Sequence, residues 1–274
     1  MSLMRNKIIK TSVKVIIGLF IFIIGFYFFW ISPRYSVPIL TYHSFDYGKG
    51  LLSVAPENFE RQMRYLKNKH YNVISFGELV EGIKNRRTFA RNTVVITIDD
   101  GYKNNFTYAY SILKKYGFPA IVFLITNNIG TNAAYLNWDE VKEMSKHNIS
   151  FGGHTKSHVY LPSVVKTDVL WDEIAGSKKA IEERIGIPID YFCYPLGGFT
   201  KEAELLAKKA GYKAVCATNR GDDILNRHNV YEINRISVRN GNPYFSFSNL
   251  FIPVRFRAKL SGYYNIFKQT KDGY

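Results

Sequence analysis

The sequence predicts an α/β fold behind one N-terminal transmembrane helix, and three observations carry that reading. Short β-branched runs alternate with stretches of helical periodicity between residues 37 and 238, the pattern of a mainly parallel sheet. Seven or eight such units in about 200 residues are enough to close a barrel, whose site would lie at the carboxyl ends of its strands. Residues 15–31 form an unbroken apolar run interrupted only by two glycines. The chain has 274 residues, of which 46% are hydrophobic and 16% aromatic, ample for one sizeable core.

Residues 1–14 read as a cytoplasmic tail and residues 15–31 as the anchor, about 25 Å long at helical rise. Arg5, Lys7, Lys10 and Lys14 precede the run with no acidic residue, which keeps the amino terminus inside. Tyr27, Phe28, Phe29 and Trp30 stand at its far end, where an interfacial aromatic belt belongs. A cleaved signal peptide is the alternative, but no small-x-small site follows; the next residues are Ser32-Pro33-Arg34. Residues 32–36 form a linker, 37–240 one globular domain, and 241–274 a basic, aromatic C-terminal segment.

Within the domain, residues 37–41 form an apolar strand running into Tyr42-His43-Ser44-Phe45. Residues 57–70 place Phe59, Met63, Leu66 and His70 on one helical face, after Pro56. Residues 76–83 are a second short helix. The run 93–98 is a buried strand followed at once by Asp99-Asp100-Gly101. Residues 104–116 are helical and stop at Gly117. Residues 120–125 are a strand, 127–137 a loop and 138–147 a helix. Residues 149–152 are a strand that delivers Gly153-His154-Thr155-Lys156-Ser157-His158. Residues 168–185 form a long helix with Leu170, Ile174, Ala180 and Ile181 inward. Residues 191–194 are a strand, 201–210 a helix ending at Gly211, and 213–217 and 230–238 further strands.

Neighbours on a regular strand point to opposite faces, so Asp99 and Asp100 share a site only if a turn at Gly101 breaks the pleat. Two carboxylates at a buried strand end are costly to desolvate without a positive group; a helix N-cap is the ordinary alternative. His154 and His158, four apart, share a face if they lie on a helical turn. A carboxylate with two imidazoles is a three-ligand set for a catalytic divalent cation with an open position for water.

The net charge is +15, of which +5 lies in residues 1–34. A basic surface favours anionic surroundings such as phospholipid head groups or wall polymers, a merely soluble basic surface being the alternative. No nucleic-acid-binding module is recognisable, and no nucleic acid is expected as partner. Cys193 and Cys216 sit in apolar strand-like segments and read as buried free thiols, with a disulfide as the alternative outside the cytoplasm. The C-terminal aromatic and basic residues read as packing against the barrel, with sugar stacking or membrane contact as alternatives.

The pair Thr97-Ile98-Asp99-Asp100-Gly101 and His154-Thr155-Lys156-Ser157-His158 resembles the first two motifs of the polysaccharide deacetylase family, the NodB-homology domain of carbohydrate esterase family 4. Gly117-Phe118-Pro119-Ala120 before its strand, Asn137-Trp138-Asp139-Glu140 and Phe192-Cys193-Tyr194-Pro195-Leu196-Gly197 also fit. The resemblance spans about Val37 to Val238 and implies a distorted (β/α)7-type barrel. It implies that Asp100, His154 and His158 hold one divalent metal ion, zinc by default and nickel or cobalt otherwise. It implies that Asp99 is the general base toward the attacking water, and that Tyr194, Pro195, Leu196 and Gly197 line the substrate groove with a backbone N–H aiding the oxyanion.

The sequence departs from the common family pattern in three places. After His158 the only histidine is His228, Cys193 stands where the common form has arginine, and the last tryptophan is Trp171. The poly-β-1,6-N-acetylglucosamine deacetylases resemble a circular permutation with the acid histidine first, and Thr41-Tyr42-His43-Ser44-Phe45 is similar to that. His43 is therefore expected as the general acid, a buried structural histidine being the alternative. His70 and His147 read as solvated surface residues. Arg235, on the last strand, is expected to replace the missing arginine, orienting Asp99 and keeping it ionised; an outward-facing basic residue is the alternative.

These expectations describe an N-deacetylase acting on N-acetylglucosamine units of an extracellular or cell-wall polysaccharide. The polymer is either poly-N-acetylglucosamine of a biofilm or the glucosamine of peptidoglycan or a linkage unit. Polysaccharide synthesis or export machinery is an expected partner. An O-acetyl esterase on the same site and a non-catalytic glycan-binding module are the competing functions.

Overall fold

The structure is a computed structural model that describes residues 2–26, 37–48, 50, 52–87, 89, 90, 92–217 and 229–238. The aromatic cluster 27–30, the linker 32–36, His228 and the segment 241–274 lie outside the described residues. The chain divides into two compact units, residues 1–36 and 37–274.

The described residues of the first unit form one helix, α1 (Ser2–Phe26). Its stretch Ile9–Phe26 is long and apolar enough to cross a membrane, by length and composition.

The second unit contains a parallel sheet, with helices between successive strands from β1 to β7. Its elements are β1 (Ile39–Tyr42), α2 (Pro56–Asn68), β2 (Asn72–Val73), α3 (Phe76–Lys84), β3 (Thr93–Ile98), α4 (Ser111–Tyr116), β4 (Ala120–Leu124) and α5 (Trp138–Ser145). They continue with β5 (Ile149–Gly153), α6 (Thr167–Trp171), α7 (Ser177–Ile185), β6 (Tyr191–Cys193), α8 (Lys201–Lys209), β7 (Ala214–Cys216) and β8 (Ile236–Ser237). The strand order is β7-β6-β5-β4-β3-β1-β8, with β2 paired to β3 outside that path. Asn105–Tyr110 and Asp172–Gly176 are π-helical stretches. The expected helices over 104–116 and 168–185 are therefore helical throughout but not uniformly α.

The expected strand over 230–238 is a correction. Only Ile236–Ser237 is regular strand, with residues 230–232 in a turn before it. The segment nevertheless joins both ends of the sheet. Ile233 bridges Cys216 of β7 in parallel, and β8 pairs with β1 at Leu40 and Thr41. A short segment that must leave one neighbour and reach another cannot keep a straight ladder. This link closes the sheet into the distorted (β/α)7-type barrel, seven strand positions around the ring.

Alternation along the strands divides two cores. Leu40, Tyr42, Val94, Ile96, Ile98, Val122 and Phe192 pack with Phe59, Met63 and Leu66 of α2 and with the inner faces of α5, α7 and α8. Ile39, Val95, Ile121, Phe123, Cys193 and Cys216 face the other way, against Phe76, Leu79 and Val80 of α3. Each fully buried side chain of this size stabilises the fold by about 1.5–3 kcal/mol. The capping box of Ser75 with Glu78 starts α3, and that of Asn137 with Glu140 starts α5. Parallel register aligns Tyr42 with Ile98 and Leu124 with Gly153, so residues 43, 99 and 154 emerge together at one rim.

Candidate active site

The turn after β3 brings both carboxylates of the Asp-Asp pair into one cleft. Asp100 has φ +74° and Gly101 φ +77°, so the pleat breaks as the sequence implies. A Cβ on Gly101 would lie 2.7 Å from Leu124 Cδ2 and demand a left-handed backbone. Asp99 is 3% exposed and Asp100 5%.

Arg235 reaches Asp99 from the segment that closes the barrel. Its Nη1 donates to Asp99 Oδ1 and its Nη2 to Oδ2, both at 2.7 Å. Nη1 also donates to Thr97 Oγ1 at 3.1 Å, and Nη2 lies 2.9 Å from Cys193 Sγ. Thr97 stands two residues before Asp99 and so on the same strand face. Sequence reasoning missed Thr97, although that spacing was the available signal. Burial alone would raise the Asp99 carboxyl, but the Arg235 charge and its two hydrogen bonds outweigh it and hold the group well below the usual carboxylate range. Arg235 is 5% exposed, which removes the outward-facing alternative.

His43 follows β1 directly, and its Nε2 lies 3.7 Å from Asp99 Oδ2. The Asn105 amide donates to the His43 carbonyl at 2.9 Å and holds the chain there. The His43 Nδ1 is buried without a hydrogen-bond partner among the described residues.

Asp100, His154 and His158 meet on the other side of the cleft. Asp100 Oδ1 lies 3.5 Å from His154 Nε2 and 3.5 Å from His158 Nε2. That oxygen is buried and accepts no hydrogen bond among the described residues. His154 Nδ1 donates to the Cys193 carbonyl at 2.8 Å, which leaves the Nε2 lone pair facing Asp100. Burial pushes the Asp100 carboxyl up to about 6 and the His154 imidazole down to about 3. An orphaned carboxylate oxygen between two neutral imidazole nitrogens is the donor set of a divalent cation. The residues present fit such an ion.

The route by which the histidines meet differs from the helical turn expected. Residues 154–158 are not helical, and Thr155 and His158 have φ +62° and +60°. The His158 N–H donates to Thr155 Oγ1 at 2.9 Å. A Cβ on Gly152 would lie 2.6 Å from Phe123 and one on Gly153 closer still to Tyr212 Oη, so the strand end has no room for side chains there.

The expected groove residues divide. Tyr194 and Pro195 are buried, the Tyr194 ring stacked 4.4 Å from Phe199. Their side chains therefore pack in the core, unlike that of Leu196. Leu196 is 70% exposed at φ +55°, and Gly197 is buried. The Tyr194, Gly197 and Gly198 N–H groups donate to Cys216, Tyr194 and Pro195 carbonyls. His70 is exposed, and His147 pairs with Glu143 at 3.3 Å on the surface. Cys193 and Cys216 are both free and buried, facing each other across β6 and β7.

Comparison with known proteins places these features in a wider set. The family model for polysaccharide deacetylase matches residues 86–215. The YxkH protein of Bacillus subtilis (strain 168), named for that family, is 32% identical over 206 residues, covering 75% of this chain and 72% of its own. The poly-β-1,6-N-acetyl-D-glucosamine N-deacetylase of Staphylococcus aureus (strain MRSA252) is 28% identical, covering 59% of each chain. The Streptococcus pyogenes deacetylase PplD, solved in complex with acetate, superposes with a TM-score of 0.71 and 28% identity, over 79% of this chain and 97% of its own.

Proposed function

The chain belongs to the polysaccharide deacetylase family, and from that membership we propose that it is a metal-dependent N-deacetylase of N-acetylglucosamine units in an extracellular or cell-wall polysaccharide. The observation that carries this reading is the convergence of Asp100 Oδ1 with the Nε2 atoms of His154 and His158 at 3.5 Å, beside an Asp99 held by Arg235.

Asp100, His154 and His158 would hold the divalent ion, zinc by default. When bound, that ion supplies Lewis-acid polarisation of the acetamide carbonyl and acidifies a water at neutral pH. Asp99 accepts the proton of the attacking water. Its pairing with Arg235 keeps it ionised and fixes both of its oxygens, so the carboxylate cannot rotate away from the cleft. His43 donates a proton to the departing amine, which is a poor leaving group unprotonated. Leu196, exposed beside the rim, and the backbone of residues 196–197 offer the groove wall.

The S. aureus relative's name supports poly-β-1,6-N-acetylglucosamine as substrate, while the +15 charge favours an anionic wall polymer. The span Ile9–Phe26 supports a single-pass anchor with the catalytic domain, residues 37–240, outside the cytoplasm. Polysaccharide synthesis or export machinery is the matching partner.

The test incubates the full chain with β-1,6-linked N-acetylglucosamine oligomers and with purified wall polymer, with and without chelator. Release of acetate with equimolar free amine, abolished by chelator, is expected. Acetate without amine would make the protein an O-acetyl esterase. Glycan binding without acetate release would make it a binding module.

A further inference from the structure

We propose that Glu173 is the positioning residue that places His158 in the cation site, an inference that rests on the cation reading above. The three site residues are held by different means. Asp100 sits on its own turn. His154 is fixed twice, its N–H to the Leu124 carbonyl at 2.9 Å and its Nδ1 to the Cys193 carbonyl at 2.8 Å. The His158 ring has no protein hydrogen bond of that kind among the described residues. Its backbone position is set by the loop 155–157, and its ring rests edge-on against His154 at 5.0 Å.

Glu173 organises that loop. Its Oε2 accepts the Lys156 N–H at 2.9 Å and the Ser157 N–H at 3.0 Å. Its Oε1 accepts the Ser157 hydroxyl at 2.6 Å. The next N–H, that of His158, goes to Thr155 Oγ1. Every amide from 156 to 158 thus ends on a side-chain oxygen. These bonds sustain positive φ at two non-glycine residues, Thr155 and His158, a backbone that persists only when its surroundings impose it.

The π-helical stretch Asp172–Gly176 aims the carboxylate. Such bulges shift side chains out of α-helical register and recur at functional sites. The adjacent Asp172 pairs with Lys156 Nζ at 2.7 Å. Gly176 leaves room for that lysine, since a Cβ there would lie 2.9 Å from Lys156 Cδ. Two successive acids on one bulge therefore grip one side of the His158 loop, Glu173 by its backbone.

The test reads cation affinity rather than turnover. Cobalt(II) is titrated into the full chain, following its visible absorbance against a competing chelator. Glu173→Gln and Glu173→Ala are expected to weaken cobalt binding about 10- to 100-fold and to alter the absorbance of the bound ion. Turnover should return at saturating cobalt, and cooperative unfolding of the metal-free protein should persist. Glu183→Gln, which removes a charge from an exposed pair with Lys179, should bind as wild type. Wild-type affinity and spectrum in both Glu173 variants would overturn the positioning role and leave the proposed function intact. A wild-type protein that takes up no cobalt would overturn both. If Glu173→Ala does not fold, Glu173→Gln and Ser157→Ala, which removes only the hydroxyl bond, decide the matter by the same titration.

Discussion

Arg235 grips Asp99 with two parallel hydrogen bonds of 2.7 Å, one to each carboxylate oxygen, and both side chains are all but sealed from solvent. Bidentate geometry of this kind is specific to a guanidinium. Arg235→Ala strands a buried carboxylate, and the expected loss is about 3–5 kcal/mol of stability, measured by chemical denaturation. Turnover should fall as well. Arg235→Lys should fold better than the alanine variant yet recover little activity, and turnover left intact in Arg235→Ala would remove its role toward Asp99.

Asp99→Asn separates catalysis from cation binding. The variant keeps Asp100, His154 and His158, so its bound zinc, measured by elemental analysis after dialysis, should match wild type. Acetate release should fall by at least about 100-fold, the scale of a lost proton acceptor.

His43→Ala should distinguish the acid step from the rest. Deacetylation of N-acetylglucosamine oligomers requires a protonated amine to depart and should drop about 100- to 10,000-fold. Hydrolysis of 4-nitrophenyl acetate, whose leaving group needs no proton, should survive far better. Equal losses on both substrates would assign His43 to the fold instead.

Chelation should abolish activity, and added zinc should restore it. Asp100→Asn, His154→Ala and His158→Ala should each resist restoration, because a site with three protein ligands does not hold its ion on two.

Burial raises the thiols of both cysteines, Cys216 to about 12 and Cys193 well above its ordinary value. A thiol-specific reagent at neutral pH should label neither in the native protein and both after unfolding. Prompt native labelling would contradict the packing around β6 and β7.

Much of this arrangement was legible in the residues. The β3 motif strand falls at residues 93–98 as expected, because a β-branched run ended by Asp-Asp-Gly leaves few alternatives. Arg235 was placed by a gap, the Cys193 where an arginine was expected, and the two now touch. The His154–His158 spacing misled, since four residues apart suits a helix, whereas here two positive-φ residues and a distant glutamate make the turn. That information sits in residue 173, too far along the chain for any local pattern to show. Tyr194 misled for a related reason. A motif names a neighbourhood, and only packing against Phe192 and Phe199 shows which member turns inward.

His43 comes directly after the first strand and Arg235 just before the last, and those strands are neighbours. No fragment made of consecutive residues from one half of the barrel contains both. During synthesis the reaction centre therefore stays incomplete until nearly all of the domain has emerged, and a truncated product ending before residue 229 would carry a lone, uncompensated anion where a working enzyme needs an aligned one.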